Sequence, residues 1–314
     1  MFKGINNGFQ LIKSAIQIFK KHPVLIVPLF IVWIVFASLL VYFKWHFPWA
    51  NYNGTGQLIF AYLFFLLTTY LLTISCSVLL ELIQQNELGD KMSFKRSLSE
   101  TFGKNLAHII VLSIAWSLIW FFLVILKVIF SKKRNDNDEE KSAENVARTL
   151  SGDSSFSWFG LSIDLIIKGV RMVVFLILPG VAWQELGIRK SIKKGFQVLS
   201  DRRSEFVGGF TLSLGTEFML FLPAAIMFYL SGKGIVTFDD IAWYLCILYI
   251  GFAWSFSLYL EQMFAAELYL WQIKYEDDCR KARNEGRLQP KFEQTKRPLI
   301  LDEVPDILEL KRID

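Results

Sequence analysis

The chain has little of what staples, ligates or catalyses. Three cysteines and three histidines are spread over 314 residues. That number of cysteines cannot build the bridged framework of a small secreted domain. Cys76 and Cys246 sit inside apolar runs, and Cys279 alone lies in a polar stretch. His22, His46 and His108 stand far apart and no C-x-x-C occurs, so no set of residues has the spacing of a metal site. Also missing are G-x-x-x-x-G-K-[ST], H-E-x-x-H and any credible nucleophile–base spacing. We therefore expect neither an enzyme nor a cofactor. The net charge of +5 is small for the length, and the polar C-terminal stretch balances its bases with acids, so there is no nucleic-acid signature.

What fills the chain instead is apolar sequence in long runs. It is 53% hydrophobic. A hydrocarbon core about 30 Å thick takes roughly 20 helical residues to cross. Stretches 24–43, 58–80, 106–130, 158–181, 206–231 and 241–271 reach or approach that length. The first differs from a signal peptide in its long basic leader, its spanning length and the lack of an A-x-A site, and reads as a retained helix. The expected fold is all-α: an amphipathic interfacial helix at 1–23, a polytopic domain of six transmembrane helices at 24–271, and a cytoplasmic tail at 272–314. The polar, mixed-charge connection at 131–157 reads as mobile, with a short helix at 139–150.

Lysine and arginine set the orientation, because cytoplasmic loops carry their excess. The leader holds Lys3, Lys13, Lys20 and Lys21, and the second-to-third connection holds Lys91, Lys95, Arg96 and Lys104. The fourth-to-fifth connection adds Arg189, Lys190, Lys193, Lys194, Arg202 and Arg203. The opposite loops are poorer or outweighed by acids. Both termini are expected in the cytoplasm, and the membrane to be the bacterial inner one.

The same connections carry a repeat. A basic residue precedes a serine that is followed five positions later by phenylalanine: Lys13-Ser14 with Phe19, Arg96-Ser97 with Phe102, and Lys190-Ser191 with Phe196. Each copy introduces two spans, so the chain reads as three pseudo-repeats of amphipathic helix plus transmembrane hairpin. In the leader, Phe2, Ile5, Phe9, Ile12, Ile16 and Phe19 recur at three- and four-residue spacing. A helix of that kind buries its apolar side at the acyl boundary and presents lysines to anionic headgroups. Lys13, Lys20, Lys21, Lys190, Lys193 and Lys194 are the expected lipid or partner surface, either as simple anchors or as a collar that touches another protein. Each returning span also ends in an acid, Glu81, Glu185 or Glu267, where the negative end of the helix disfavours one. Each is expected to clasp a neighbouring interfacial helix.

With that repeat, the segment "LPGVAWQELGIRKSIKKGF" and the leader "GFQLIKSAIQIFKKHPVLIVPLF", the chain resembles an uncharacterised family of six-helix bacterial and archaeal membrane proteins. The residues that carry the likeness are Pro28-Leu29, Pro179, Glu185, Gly187 and Lys190-Ser191. The resemblance implies a six-span architecture and no activity. A weaker likeness in layout extends to the membrane domains of some glycerophosphodiester phosphodiesterases.

Charges inside the spans are the remaining signal. An ionisable group at mid-bilayer costs at least about 2.5–3.5 kcal/mol and so faces a partner or a wet cavity. Asp164, Lys168 and Arg171 form one stripe rising about 10 Å along the fourth span, and Glu217 lies near the centre of the fifth. Packing of those two spans would pair Arg171 with Glu217 and leave Asp164 to Lys168. Lys127 is expected to snorkel toward the headgroups, and Glu261 to lie near the cytoplasmic boundary within reach of water. Gly208, Gly209, Gly215 and Pro223 are expected to break up the fifth helix, which is how transporters make room for an ion. Two functions stay open. The first is a non-enzymatic accessory or scaffold that binds a protein partner or anionic lipid through its basic helices. The other is a transporter or channel for a small solute, ion or lipid that uses the intramembrane charges.

Overall fold

The computed structural model describes residues 2–48, 52–132, 158–295, 298 and 300. The connection with its expected helix at 139–150 lies outside them. The described residues are helical, without strands, in the order α1 (Phe2–Lys21), a 3₁₀ turn (Pro23–Ile26), α2 (Val27–Trp45), α3 (Gly54–Glu87), α4 (Phe94–Lys104), α5 (Leu106–Lys132), α6 (Trp158–Ala182), α7 (Ile188–Asp201), α8 (Arg203–Gly232) and α9 (Asp240–Asn284). Six of these helices are long and apolar enough to cross a membrane: the 3₁₀ turn with α2, then α3, α5, α6, α8 and α9. That is the layout of a multi-pass membrane protein.

Local chemistry explains several boundaries. Asn53 caps α3 by accepting from the Gly56 amide at 2.8 Å, and Asp239 caps α9 by accepting from the Ala242 amide at 2.9 Å. α1 ends in Lys20 and Lys21, favourable at the negative end of a helix, and the following His22-Pro23 step cannot continue it. α8 corrects an expectation: despite its glycines it is a continuous helix with Pro223 inside it. α9 runs on to Asn284, well past the expected end of the sixth span at 271.

The spans pack as three antiparallel hairpins. In the first, α2 meets α3 through Phe36 and Phe64, stacked at 5.6 Å. In the second, α5 meets α6 through Trp116 and Phe175, edge-on at 6.0 Å. In the third, Tyr249 of α9 donates to the Leu220 carbonyl of α8 at 2.6 Å. Here Gly209 is required, since a methyl group on it would stand 2.2 Å from the Phe264 ring.

The returning helices meet at the centre. Just past the end of α6, Trp183 donates to the Leu80 carbonyl of α3 at 2.9 Å and Gln184 accepts from Tyr269 of α9 at 2.8 Å. The hairpins then join edge to edge, but not equally. α3 packs on α5, where Thr69 donates to the Ser113 carbonyl at 3.2 Å. α9 packs on α2, where Phe36 stacks on Trp254 at 5.9 Å. The third seam, between α6 and α8, has almost no backbone contact among the described residues.

α1 also departs from expectation. From Leu11 onward its apolar face is covered by protein: Leu11, Ile12, Ala15 and Ile18 are fully buried as the helix lies along α8 and α9. Phe19 packs edge-on against Phe256 at 4.9 Å, and Tyr259 donates to the Ala15 carbonyl at 2.9 Å. The chain's first helix thus sits on its last hairpin.

Candidate functional site

The charged residues of the spans collect beside the open seam. Glu261 of α9 is their hub, fully buried and held by two cations of α6. Arg171 grips it with both arms, Nε to Oε2 at 2.7 Å and a terminal nitrogen to Oε1 at 2.8 Å. That fork is the strong, geometrically specific form of a carboxylate–guanidinium pair. Lys168 reaches Glu261 Oε1 at 2.8 Å and also bonds Glu217 of α8. Ser213, one turn from Glu217, donates to Glu261 Oε1 at 3.2 Å. Three helices are thereby tied by two acids and two bases, and Lys168 carries the link from α6 across the seam to α8.

Several sequence expectations need correction. Asp164 does not pair with Lys168. It bonds Lys127 of α5 at 2.8 and 2.9 Å, so Lys127 holds a partner instead of a headgroup. Arg171 does not bond Glu217, because α6 and α8 stand apart and only the longer reach of Lys168 spans the gap. Glu261 is not near water but at the centre of the cluster. Its partners lie about ninety positions away along the chain, invisible to helical spacing. The parallel course of α6 and α9 brings them together.

The expected clasp acids divide. Glu267 is fully buried and accepts from the Ser14 hydroxyl of α1 at 3.2 Å, so its partner is a hydroxyl and not a base. Glu81 and Glu185 come to one polar pocket of about 180 Å³ that Gln85, Arg96, Glu100 and Trp183 also line. Glu185 is exposed there, with a left-handed φ of 48° where the chain turns from α6 into α7.

The repeated serines share one role. Ser14, Ser97 and Ser191 are all fully buried. Ser97 accepts from Gln85 of α3 at 3.0 Å, and Ser191 packs so near Gly180 of α6 that a methyl there would stand 3.2 Å from its Cβ. Each seats a short helix on a returning span where a larger side chain would not fit.

Of the basic surface, Lys13, Lys20, Lys21, Lys190 and Lys193 are exposed, whereas Lys194 bonds Glu276. The chain beyond α9 turns back onto the bundle. Phe292 is buried against Trp271, 4.6 Å between rings, with the Arg202 guanidinium 3.4 Å above it. Burial there draws the Arg202 guanidinium below its usual value. The backbone amide of Ile300 donates to Glu87 at 3.1 Å.

Among the described residues no group of histidine, cysteine and acid side chains is arranged to hold a metal ion. Comparison with known proteins leaves the site to be read from its own chemistry: no family model matches the chain, and neither a curated protein nor a solved structure is significantly similar to it.

Proposed function

We propose that the protein is a non-enzymatic scaffold of a bacterial inner membrane, with both termini in the cytoplasm and a basic collar that binds anionic lipid or a partner. The observation that carries this reading is mutual satisfaction of the deep charges. Lys168, Arg171, Glu217 and Glu261 sum to zero and bond one another across three helices, which suits a lock that fixes packing. A rigid frame then presents Lys13, Lys20, Lys190 and Lys193 on helices whose opposite faces are buried in the bundle. The common seating of Ser14, Ser97 and Ser191 supports reading the collar as three related units.

The test is lipid enrichment around the protein in nanodiscs of mixed neutral lipid and phosphatidylglycerol, read as energy transfer from a collar label to labelled lipid. The wild type should enrich the anionic lipid several-fold, as expected where each juxtamembrane base contributes about 1 kcal/mol. Exchange of Lys13, Lys20, Lys190 and Lys193 for glutamine should abolish that preference. An unchanged ratio would remove the collar as a binding surface.

One observation favours the transporter reading. Glu217 is 32% exposed although it sits mid-span. If it couples transport, Glu217→Gln at unchanged fold should abolish proton- or ion-driven uptake into proteoliposomes. Under the scaffold reading, the variant keeps its lipid and partner binding.

A further inference from the structure

α1 is seated over a carboxyl that no base neutralises among the described residues. Glu267 of α9 is fully buried, and its Oε2 meets the Ser14 hydroxyl at 3.2 Å. That hydroxyl has one proton and lies closer, at 2.8 Å, to the Leu11 carbonyl. Glu267 Oε1 has no partner among the described residues, and neither has the buried Trp271 Nε1 one turn further along α9. An ionised carboxylate is costly to bury on such terms, whereas a protonated one can itself donate to Ser14.

The groups around it supply no counter-charge. Lys13, Lys20 and Lys21 of α1 are exposed. Tyr259, two turns back along α9, feels Glu267 electrostatically and gives its proton to the Ala15 carbonyl. At the foot of α8, Arg202 bonds Gln272, Arg203 bonds Ser200 and Glu205 accepts from Ser204. Further along α8, Glu217 pairs with Lys168. Glu267 lies about 40 Å along α9 from its first residue, farther than the roughly 30 Å of a hydrocarbon core, so the seat of α1 is at the cytoplasmic headgroups in the proposed orientation. α1 hangs there from the His22-Pro23 step, where the helix is broken. Its covered face, Leu11, Ile12, Ala15 and Ile18 opposite exposed lysines, is also the kind that an anionic bilayer surface takes up.

We propose that α1 has two seats, the bundle and the anionic bilayer surface, and that a proton on Glu267 selects between them. With the proton, the carboxyl donates to Ser14 and α1 stays on α8 and α9. Without it, the buried charge is relieved when α1 lifts and water reaches Glu267. The freed helix then lays the same apolar face into lipid, beside headgroups that attract its lysines. The seated state holds the proton more firmly, so rising pH favours release. The inference rests on the scaffold reading and adds regulation to its collar.

Electron-spin distances in nanodiscs test it, between labels at Gln17→Cys on α1 and Asn284→Cys at the end of α9, in a chain whose Cys76, Cys246 and Cys279 are replaced by alanine. With phosphatidylglycerol present, acid conditions should give the one short distance of the seated helix. Raising the pH should add a second population, with the ratio of released to seated α1 rising by up to about tenfold per pH unit, the limit for one proton. Glu267→Gln keeps the size, loses the charge and should stay seated at every pH. In purely neutral lipid the wild type should release severalfold less. A distance that ignores pH overturns the proposal, as does a pH response that survives Glu267→Gln or a release as large in neutral lipid. The lipid-enrichment assay counts anionic lipid around the collar and does not read where α1 lies, so failure of this inference and failure of the scaffold reading are told apart.

Discussion

Two long helices of the bundle, α3 of 34 residues and α8 of 30, meet their surroundings in opposite ways. In α3, Thr68, Thr69, Thr73, Ser75, Ser77, Glu81 and Gln85 are all buried. The hydroxyls of Thr68, Thr69 and Thr73 turn back to carbonyls of the same helix, as in the bond of Thr73 to Thr69 at 2.6 Å. In α8 the buried polar residues are Glu205, at its start, and Ser213, beside the ion cluster. Polarity in this bundle thus follows position and not the mere fact of spanning. Central helices hold polar side chains where their own carbonyls or a neighbouring helix satisfies them, as Ser113 does for Thr69 and Ser97 for Gln85. α9 makes the same point along its length, since every residue from Ser255 to Tyr269 is buried, Glu261 and Glu267 among them.

The largest effect is expected from removing the hub of the interior. Glu261→Leu would strand Arg171 without a carboxylate and leave Lys168 only Glu217. Removing one partner of a buried pair costs about 3–5 kcal/mol. We expect thermal unfolding in nanodiscs to fall accordingly, and the double change Arg171→Leu with Glu261→Leu to recover most of the loss. Failure of the double to recover would mean that the pair does more than hold helices together.

A smaller loss is expected where α8 touches the centre. Gly209→Leu drives a side chain into the buried Phe264 ring and should cost about 1–3 kcal/mol of stability, the range for overpacking. Phe264→Ala in the same chain makes room, so a double-mutant cycle should show strong coupling between the two sites. Smaller again is Phe292→Ala, which frees Arg202 from a ring it covers. About 0.5–1 kcal/mol is lost at such a contact, and limited proteolysis should cut residues 285–295 faster while the melting temperature of the spans hardly moves.

Much of this bundle is legible in the sequence. All six spans follow from apolar length, with ends displaced mainly where α3 and α9 continue past the hydrophobic run on polar but helix-forming residues. Lys168, Arg171 and Glu217 stand out because charge in an apolar run is rare. What spacing along one helix cannot reveal is the choice of partner. Lys168 stands one turn from Asp164 on α6, so spacing pairs the two, whereas packing against α9 and the reach across the seam to α8 give it Glu261 and Glu217. α1 illustrates a second limit: an amphipathic stripe looks the same whether lipid or protein covers it.

The smallest effect belongs to the pair at the edge. Asp164 is 54% exposed, and Lys127 holds it near the end of α5, away from the hub. Water and headgroups reach a pair so placed, and exposed ion pairs contribute about 0–1 kcal/mol with a marked dependence on salt. Asp164→Asn should therefore change the melting temperature little, and less still at high ionic strength. The loss caused by Glu261→Leu should not respond to salt, because no screening ions enter a fully buried site. Were Asp164→Asn to cost as much as Glu261→Leu at every salt concentration, position in the bundle would not be what sets the worth of a charge here.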